Sequence, residues 1–267
     1  MDIQGIMIAV VCVGGVGLLI GVFLSFFGNY FKVETDPRED AVIDALPGNN
    51  CGACGYAGCS GMAAAIVKGE APVSGCPVGG EKTAAKVAAI MGVDAGKTKR
   101  MVAYVKCRGT CEKTTVDYEY HGVEDCKMLS FVPNGGAKTC DYGCLGFGSC
   151  KKVCDFDAID ILDGVAVINK EKCKACGKCV DNCPKNLIEM IPYEASYVVG
   201  CSSKDKGPVV MKACSAGCIG CGLCEKACPV GAITVTDFIA HIDQEKCTGC
   251  GACAAKCPKK IIEAVCL

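Results

Sequence analysis

Three stretches of this chain repeat one cysteine spacing: CKACGKCVDNCP from Cys173, CIGCGLCEKACP from Cys218 and CTGCGACAAKCP from Cys247. Each reads C-x2-C-x2-C-x3-C-P. Cysteines three apart sit around one loop, where their thiolates suit a shared metal or iron–sulfur group better than bridges to distant segments. No other feature restricts the fold as strongly, because the chain between such loops is left only short connecting segments.

In bacterial ferredoxins with this spacing the fourth cysteine of a run ligates the partner cluster, so the runs work in pairs. A shift of 74 residues lays the chain on itself: Cys144 meets Cys218, Cys150 meets Cys224, Cys154 meets Cys228, and Cys173 to Cys183 meet Cys247 to Cys257 without a gap. Between them AIDILDGVAVINKEKC faces AITVTDFIAHIDQEKC, each reading as two short strands and a turn. The expected architecture is a tandem of two-cluster modules. Crossing over assigns Cys218, Cys221, Cys224 and Cys257 to one cluster of the second module, and Cys247, Cys250, Cys253 and Cys228 to the other. Cys173, Cys176, Cys179 and Cys154 form the complete set of the first module.

The remaining set is short of one corner. In CDYGCLGFGSCKKVC the repeat places Phe147 opposite Cys221. Cys140 lies four residues before Cys144, close enough to bend back, and the expected set is Cys140, Cys144, Cys150 and Cys183. A three-iron cluster with Cys140 idle, and no cluster at all, are the competing readings. Cys214 occupies the repeat position of Cys140 without being needed there, which leaves another shared task open to the pair. Cys107, Cys111, Cys126, Cys201, Cys214 and Cys266 are left over. They read as buried structural thiols, or as a sixth iron–sulfur centre drawing on Cys107, Cys111, Cys126 and a further thiol.

Composition supports metal centres over disulfides. The chain has 27 cysteines in 267 residues, far longer than the small secreted domains that disulfides staple. The expected compartment is a reducing one. A formal charge of −1 gives no polybasic footprint, so no nucleic-acid partner is expected, and two histidines do not build a His-rich metal site.

The stretch from Ile3 to Phe27 contains no charged residue. It is long enough as a helix to cross the ~30 Å hydrocarbon core with some tilt. No positive n-region precedes it, which argues for a retained single-pass anchor over a cleaved signal. Lys32 and Arg38 follow it, so the positive-inside bias puts the bulk of the chain in the cytoplasm. Gly14, Gly15, Gly17 and Gly21 suit close packing against partner helices.

Beyond the acidic connector ETDPRED, Cys51, Cys54, Cys59 and Cys76 follow C-x2-C-x4-C-x16-C. Three thiols come from one glycine-rich loop, whose small residues let backbone amides approach cluster sulfurs. Tetrahedral zinc is the alternative. Ser60 reads as the N-cap of a following Ala-rich helix.

The expected fold class is α+β, with a transmembrane anchor over 1–30, a small iron–sulfur domain and linker over 31–100, and two ferredoxin modules over 101–195 and 196–267. Five 4Fe-4S clusters follow, with a sixth centre open. No nucleotide fingerprint or P-loop is present, so the chain reads as an electron wire.

The span, CGACGYAGC with Cys76-Pro77-Val78-Gly79-Gly80, and GCLGFGSCKKVCDFDAI with GCIGCGLC together resemble the B subunits of the Rnf complexes, in a long clostridial-type form. That resemblance covers essentially the whole chain. It implies an electron-transfer subunit of an ion-translocating ferredoxin:NAD oxidoreductase in the cytoplasmic (inner) membrane. Its implied partners are reduced ferredoxin, membrane lipid, and membrane and flavin-bearing subunits that carry electrons on to NAD. No catalytic residue is expected in the chain itself. Lys170, Lys172, Lys174, Lys178, Lys185, Lys256, Lys259 and Lys260 offer a surface to steer an acidic ferredoxin. A membrane-tethered subunit of a quinone-linked molybdenum oxidoreductase is the alternative, and a metal-storage or scaffold protein a third reading.

Overall fold

The computed structural model describes residues 3–30, 36–96 and 99–265. Lys32, the start of the acidic connector and Cys266 lie outside the described residues. Helix α1 runs over Ile3–Tyr30. Among the described residues no helix is long and apolar enough to cross a membrane, and the expected span is not seen in them. The described side chains over 11–27 are exposed and nearly all apolar, with Leu24 at 64% and Phe26 at 67%.

Three helices form the next unit: α2 (Pro37–Ala45), α3 (Gly58–Val67) and α4 (Gly80–Met91). The Asp36 carboxylate caps α2 by accepting the Arg38 N–H at 2.9 Å, and Pro37 occupies the first turn where no N–H is needed. Arg38 beside it holds the Asp36 carboxyl down at about 2. Val42, Met62, Ile66 and Val87 form the core between the helices. Ser60 is inside α3 and does not cap it; the helix begins after Ala57, which makes no side-chain cap. Asn50 Oδ1 instead accepts the Cys59 N–H at 2.8 Å, so a residue from the preceding loop satisfies a donor that the helix leaves open.

The remainder is built twice. Strand β1 (Met101–Val105), hairpin β2 (Ile159–Leu162) and β3 (Val165–Ile168), and β4 (Ile188–Pro192) carry short helices α5 (Ser149–Lys152) and α6 (Lys178–Asn182). The second half repeats this order with β5 (Tyr197–Val199), α7 (Gly207–Ala213), α8 (Leu223–Ala227), β6 (Ile233–Thr236), β7 (Ile239–Ile242), α9 (Ala252–Lys256) and β8 (Ile262–Ala264). Strands pair antiparallel as β1–β4, β2–β3, β5–β8 and β6–β7, with Met101 opposite Pro192 and Tyr197 opposite Ala264. The hairpin turns are Asp163-Gly164 and Asp237-Phe238, all four with positive φ, the geometry of a two-residue turn between twisted strands. Ile159, Val165 and Ala166 are buried in one half and Ile233, Ile239 and Ala240 in the other. Helices and antiparallel sheets together give the mixed α+β class.

The two halves are laced together by the insertion after β1. Thr115 N–H donates to the Ala213 carbonyl at 3.1 Å and Ser215 N–H to the Lys113 carbonyl at 2.8 Å. Arg108 Nε reaches Glu263 at 2.7 Å.

Candidate iron–sulfur centres

The second half brings four thiols to one cavity. Cys218 and Cys221 come from the loop before α8, Cys224 from its first turn and Cys257 from the end of α9, around one cavity walled by Ile219, Val235, Ala240 and Ile262. Its empty space, open mouth included, is ≈ 370 Å³. Gly220 is required in the loop: at φ +64° a Cβ there would lie 2.8 Å from the Phe238 carbonyl oxygen. The loop therefore rests its backbone directly on the hairpin turn.

The first half carries the same cavity at the repeat positions. Cys144, Cys150 and Cys183 stand with Leu145, Ile161, Ala166 and Ile188 around ≈ 400 Å³ of empty space. The fourth thiol on this wall is Cys126. Cys140, expected at that corner, lines a different cavity. Two contacts account for the difference. The Phe147 ring packs on Tyr120, centroids 5.7 Å apart, so the residue that replaced a cysteine draws the insertion down over the site. Cys126 N–H then donates to Ser149 Oγ at 2.8 Å, at the start of α5. The Cys140 carbonyl meanwhile accepts the Gly143 N–H at 3.1 Å, a turn that directs Cys140 elsewhere. Burial, with Cys144, Cys126 and Cys183 nearby, pushes the Cys150 thiol up to about 12.

Sequence reasoning left Cys126 among the unassigned thiols, because it belongs to no spaced run. One signal was available. Ser149 is a buried polar residue at the repeat position of Leu223, and a buried hydroxyl requires a partner.

Members of the other expected sets lie near one another. Burial, with Cys173, Cys176, Cys150 and Cys154 nearby, pushes the Cys179 thiol up to about 12. Burial likewise raises Cys253, beside Cys247 and Cys250, and Cys76, beside Cys54 and Cys59. Backbone amides face the sulfurs: Gly79 N–H donates to Cys76 Sγ at 3.4 Å, Ala158 N–H to Cys154 Sγ at 3.4 Å and Ala232 N–H to Cys228 Sγ at 3.3 Å. Such donors stabilise thiolate ligands and set cluster potential. Among the described residues no three or more His, Cys, Asp or Glu side chains converge to hold a single metal ion. The thiols stand apart on cavity walls, an arrangement fitted to a multi-atom cluster more than to one tetrahedral ion.

The sixth centre left open on Cys107, Cys111, Cys126 and a further thiol is not assembled. Cys126 lines the cavity just described, Cys107 another, and Cys111 is exposed.

Apolar cavities ringed by thiols and held by paired short strands define an iron–sulfur electron-transfer protein. A family model for an Fe-S cluster matches residues 46–78, and the 4Fe-4S dicluster domain matches 172–232 and 217–261. The chain is 46% identical over 245 residues to the B subunit of the Na(+)-translocating ferredoxin:NAD(+) oxidoreductase complex of Acetobacterium woodii, covering 91% of this chain and 73% of that one. It is 44% identical over 256 residues to the B subunit of the ion-translocating oxidoreductase complex of Methanosarcina acetivorans, covering 96% and 97%. A proton-translocating counterpart from Clostridium ljungdahlii is 42% identical over 231 residues, covering 86% and 81%. The chain belongs to the family of B subunits of the ion-translocating ferredoxin:NAD oxidoreductases, the Rnf complexes, and is their iron–sulfur subunit. The family relation removes the molybdenum-linked and storage readings.

Proposed function

We propose that this subunit accepts electrons from reduced ferredoxin and delivers them to membrane and flavin-bearing partner subunits, ultimately for NAD. The observation that carries the reading is the pair of four-thiol cavities at repeat positions, Cys126–Cys144–Cys150–Cys183 and Cys218–Cys221–Cys224–Cys257. Cys154, Cys173, Cys176 and Cys179 would hold a third cluster, Cys228, Cys247, Cys250 and Cys253 a fourth, and Cys51, Cys54, Cys59 and Cys76 a fifth. When bound, these clusters supply one-electron redox chemistry.

The side chains around them exclude water and order the sites. Ile159, Val165, Leu187 and Ile188 close the first module. Cys51 is near enough to Cys176 to add to the rise that burial gives its thiol, which supports a continuous route from the helical unit to the ferredoxin module. Taken over its full 28 residues, none of them charged, helix α1 is assigned as the anchor in the cytoplasmic membrane, with the cluster domains on the cytoplasmic side. Lys185 and Lys259 stand at repeat positions on the two cavity rims, where an acidic ferredoxin would dock. Lys178 and Lys172 are already paired with Asp155 and Asp157 and contribute less.

The test is rapid mixing of the iron-loaded full chain with reduced ferredoxin under anaerobic conditions. Bleaching of the cluster absorption that slows as salt rises is the expected result, since screening shortens electrostatic steering. Rates insensitive to salt would remove the lysines from the account. No bleaching at any ionic strength would overturn ferredoxin as the donor.

A further inference from the structure

We propose that the junction of the two ferredoxin modules holds a sixth 4Fe-4S cluster, on Cys107, Cys140, Cys201 and Cys214. These four line one cavity with Gly109, Gly143, Gly200 and Gly217, around ≈ 440 Å³ of empty space. The two cluster cavities described above measure ≈ 400 and ≈ 370 Å³ by the same count. The proposal rests on the reading that those neighbouring cavities hold clusters.

The site is built symmetrically, as a repeat would build it. Each half contributes one thiol just past its first strand, Cys107 after β1 and Cys201 after β5. Each contributes a second from the loop ahead of its first cluster run, Cys140 and Cys214, which are repeat equivalents. All four have buried or half-buried side chains, and none is in a disulfide. They share one neighbourhood: burial first, then the nearness of Cys201, Cys107 and Cys214, pushes the Cys140 thiol up to about 12. Lys138 also faces Cys214 and supplies positive charge toward a site of thiolates. Small residues leave the room. A Cβ on Gly109 would lie 3.4 Å from Cys214 Sγ and 3.6 Å from Cys107 Sγ, so the backbone of one half passes between thiols of both.

Two hydrogen bonds give the site its purpose. Cys144 N–H donates to Cys107 Sγ at 3.4 Å, and Cys218 N–H donates to Cys201 Sγ at 3.3 Å. The donors belong to the leading cysteines of the cavities on either side. Each outer thiol of the junction is thus one hydrogen bond from a ligand of an adjacent centre, and the junction bridges the two modules. One electron passed across it would reduce the accepting cluster as the donating one is reoxidised, with no bond or proton changing place. Four thiols buried together with neither a disulfide nor a shared group would gain nothing from this clustering.

Iron and acid-labile sulfide in the anaerobically loaded full chain test this directly. About 24 of each per chain are expected, four for every cluster. The Cys140→Ser/Cys214→Ser double variant should fall to about 20 and keep the signals of the other clusters. Where that variant does not fold, Cys107→Ser should convert one centre to a three-iron species with its own EPR signal. The parent count also decides by itself. About 20 iron in the parent with an unchanged double variant overturns the sixth site while the five-cluster reading stands. About 8, or zinc in excess of iron, overturns both.

Discussion

At the scale of single residues the account turns on Phe147 and Cys126. Phe147 stands where the second module has Cys221, and its ring packs on Tyr120 rather than facing iron. Cys126→Ser should therefore leave three thiols at that site, giving a three-iron signal in EPR and a loss of about one iron per chain. Adding Phe147→Cys to that variant should restore the four-iron centre, because the repeat already places residue 147 at the missing corner. A double variant that stays three-iron, or a Cys126→Ser protein with its full four-iron signal, would remove Cys126 from the site. The three complete runs and the helical unit's cysteines were legible in the sequence, since loop spacing alone brings such thiols together. The corner at Phe147 was not. Cys140 is near in sequence but turned away by the Gly143 hydrogen bond, whereas Cys126 arrives through an insertion whose path depends on tertiary contacts.

At the scale of elements, the hairpins hold the cluster loops in place. Gly146 and Gly220 have φ of +82° and +64°, and a Cβ at either would lie 2.8 Å from a hairpin-turn carbonyl oxygen, that of Gly164 or Phe238. Alanine at either position should cost about 1–2 kcal/mol in backbone strain alone and should also loosen the loop from the turn. Iron content and denaturant unfolding of each variant check this. Gly231 is the control, with φ +62° and nothing within 4 Å of a Cβ; Gly231→Ala should keep full iron. Equal iron loss in all three would mean that strain, and not the loop-to-hairpin contact, decides. In the helical unit Met62 is 2% exposed, so Met62→Ala should destabilise it by about 2–5 kcal/mol, read from its thermal transition. These hairpins were legible because apolar and polar residues alternate and Asp-Gly or Asp-Phe marks the turn. The α3 start was not, since its donor is satisfied by Asn50, nine residues before Cys59.

At the scale of the whole molecule, thiols stand where another protein would place aliphatic side chains. Cys107, Cys144, Cys150, Cys173 and Cys179 are members of the first module's core, and every sheet among the described residues has only two strands. Two-stranded sheets are marginal alone, so cluster binding and folding should be one equilibrium. Stripping iron with a chelator should abolish the strand signal in circular dichroism; a stripped chain that keeps it would mean that the apolar core suffices. The tandem was visible as a 74-residue repeat, but the junction between its halves was not, because repetition says how each unit folds and leaves open how two units meet. If these thiol groups are cluster ligands, iron anomalous scattering from crystals of the anaerobically loaded chain will locate the iron among them. A four-iron peak is expected inside the cavity of Cys126, Cys144, Cys150 and Cys183 and another inside that of Cys218, Cys221, Cys224 and Cys257. Iron bound at Cys140 in place of Cys126, or a Cys218 cavity without iron, would contradict that ligation.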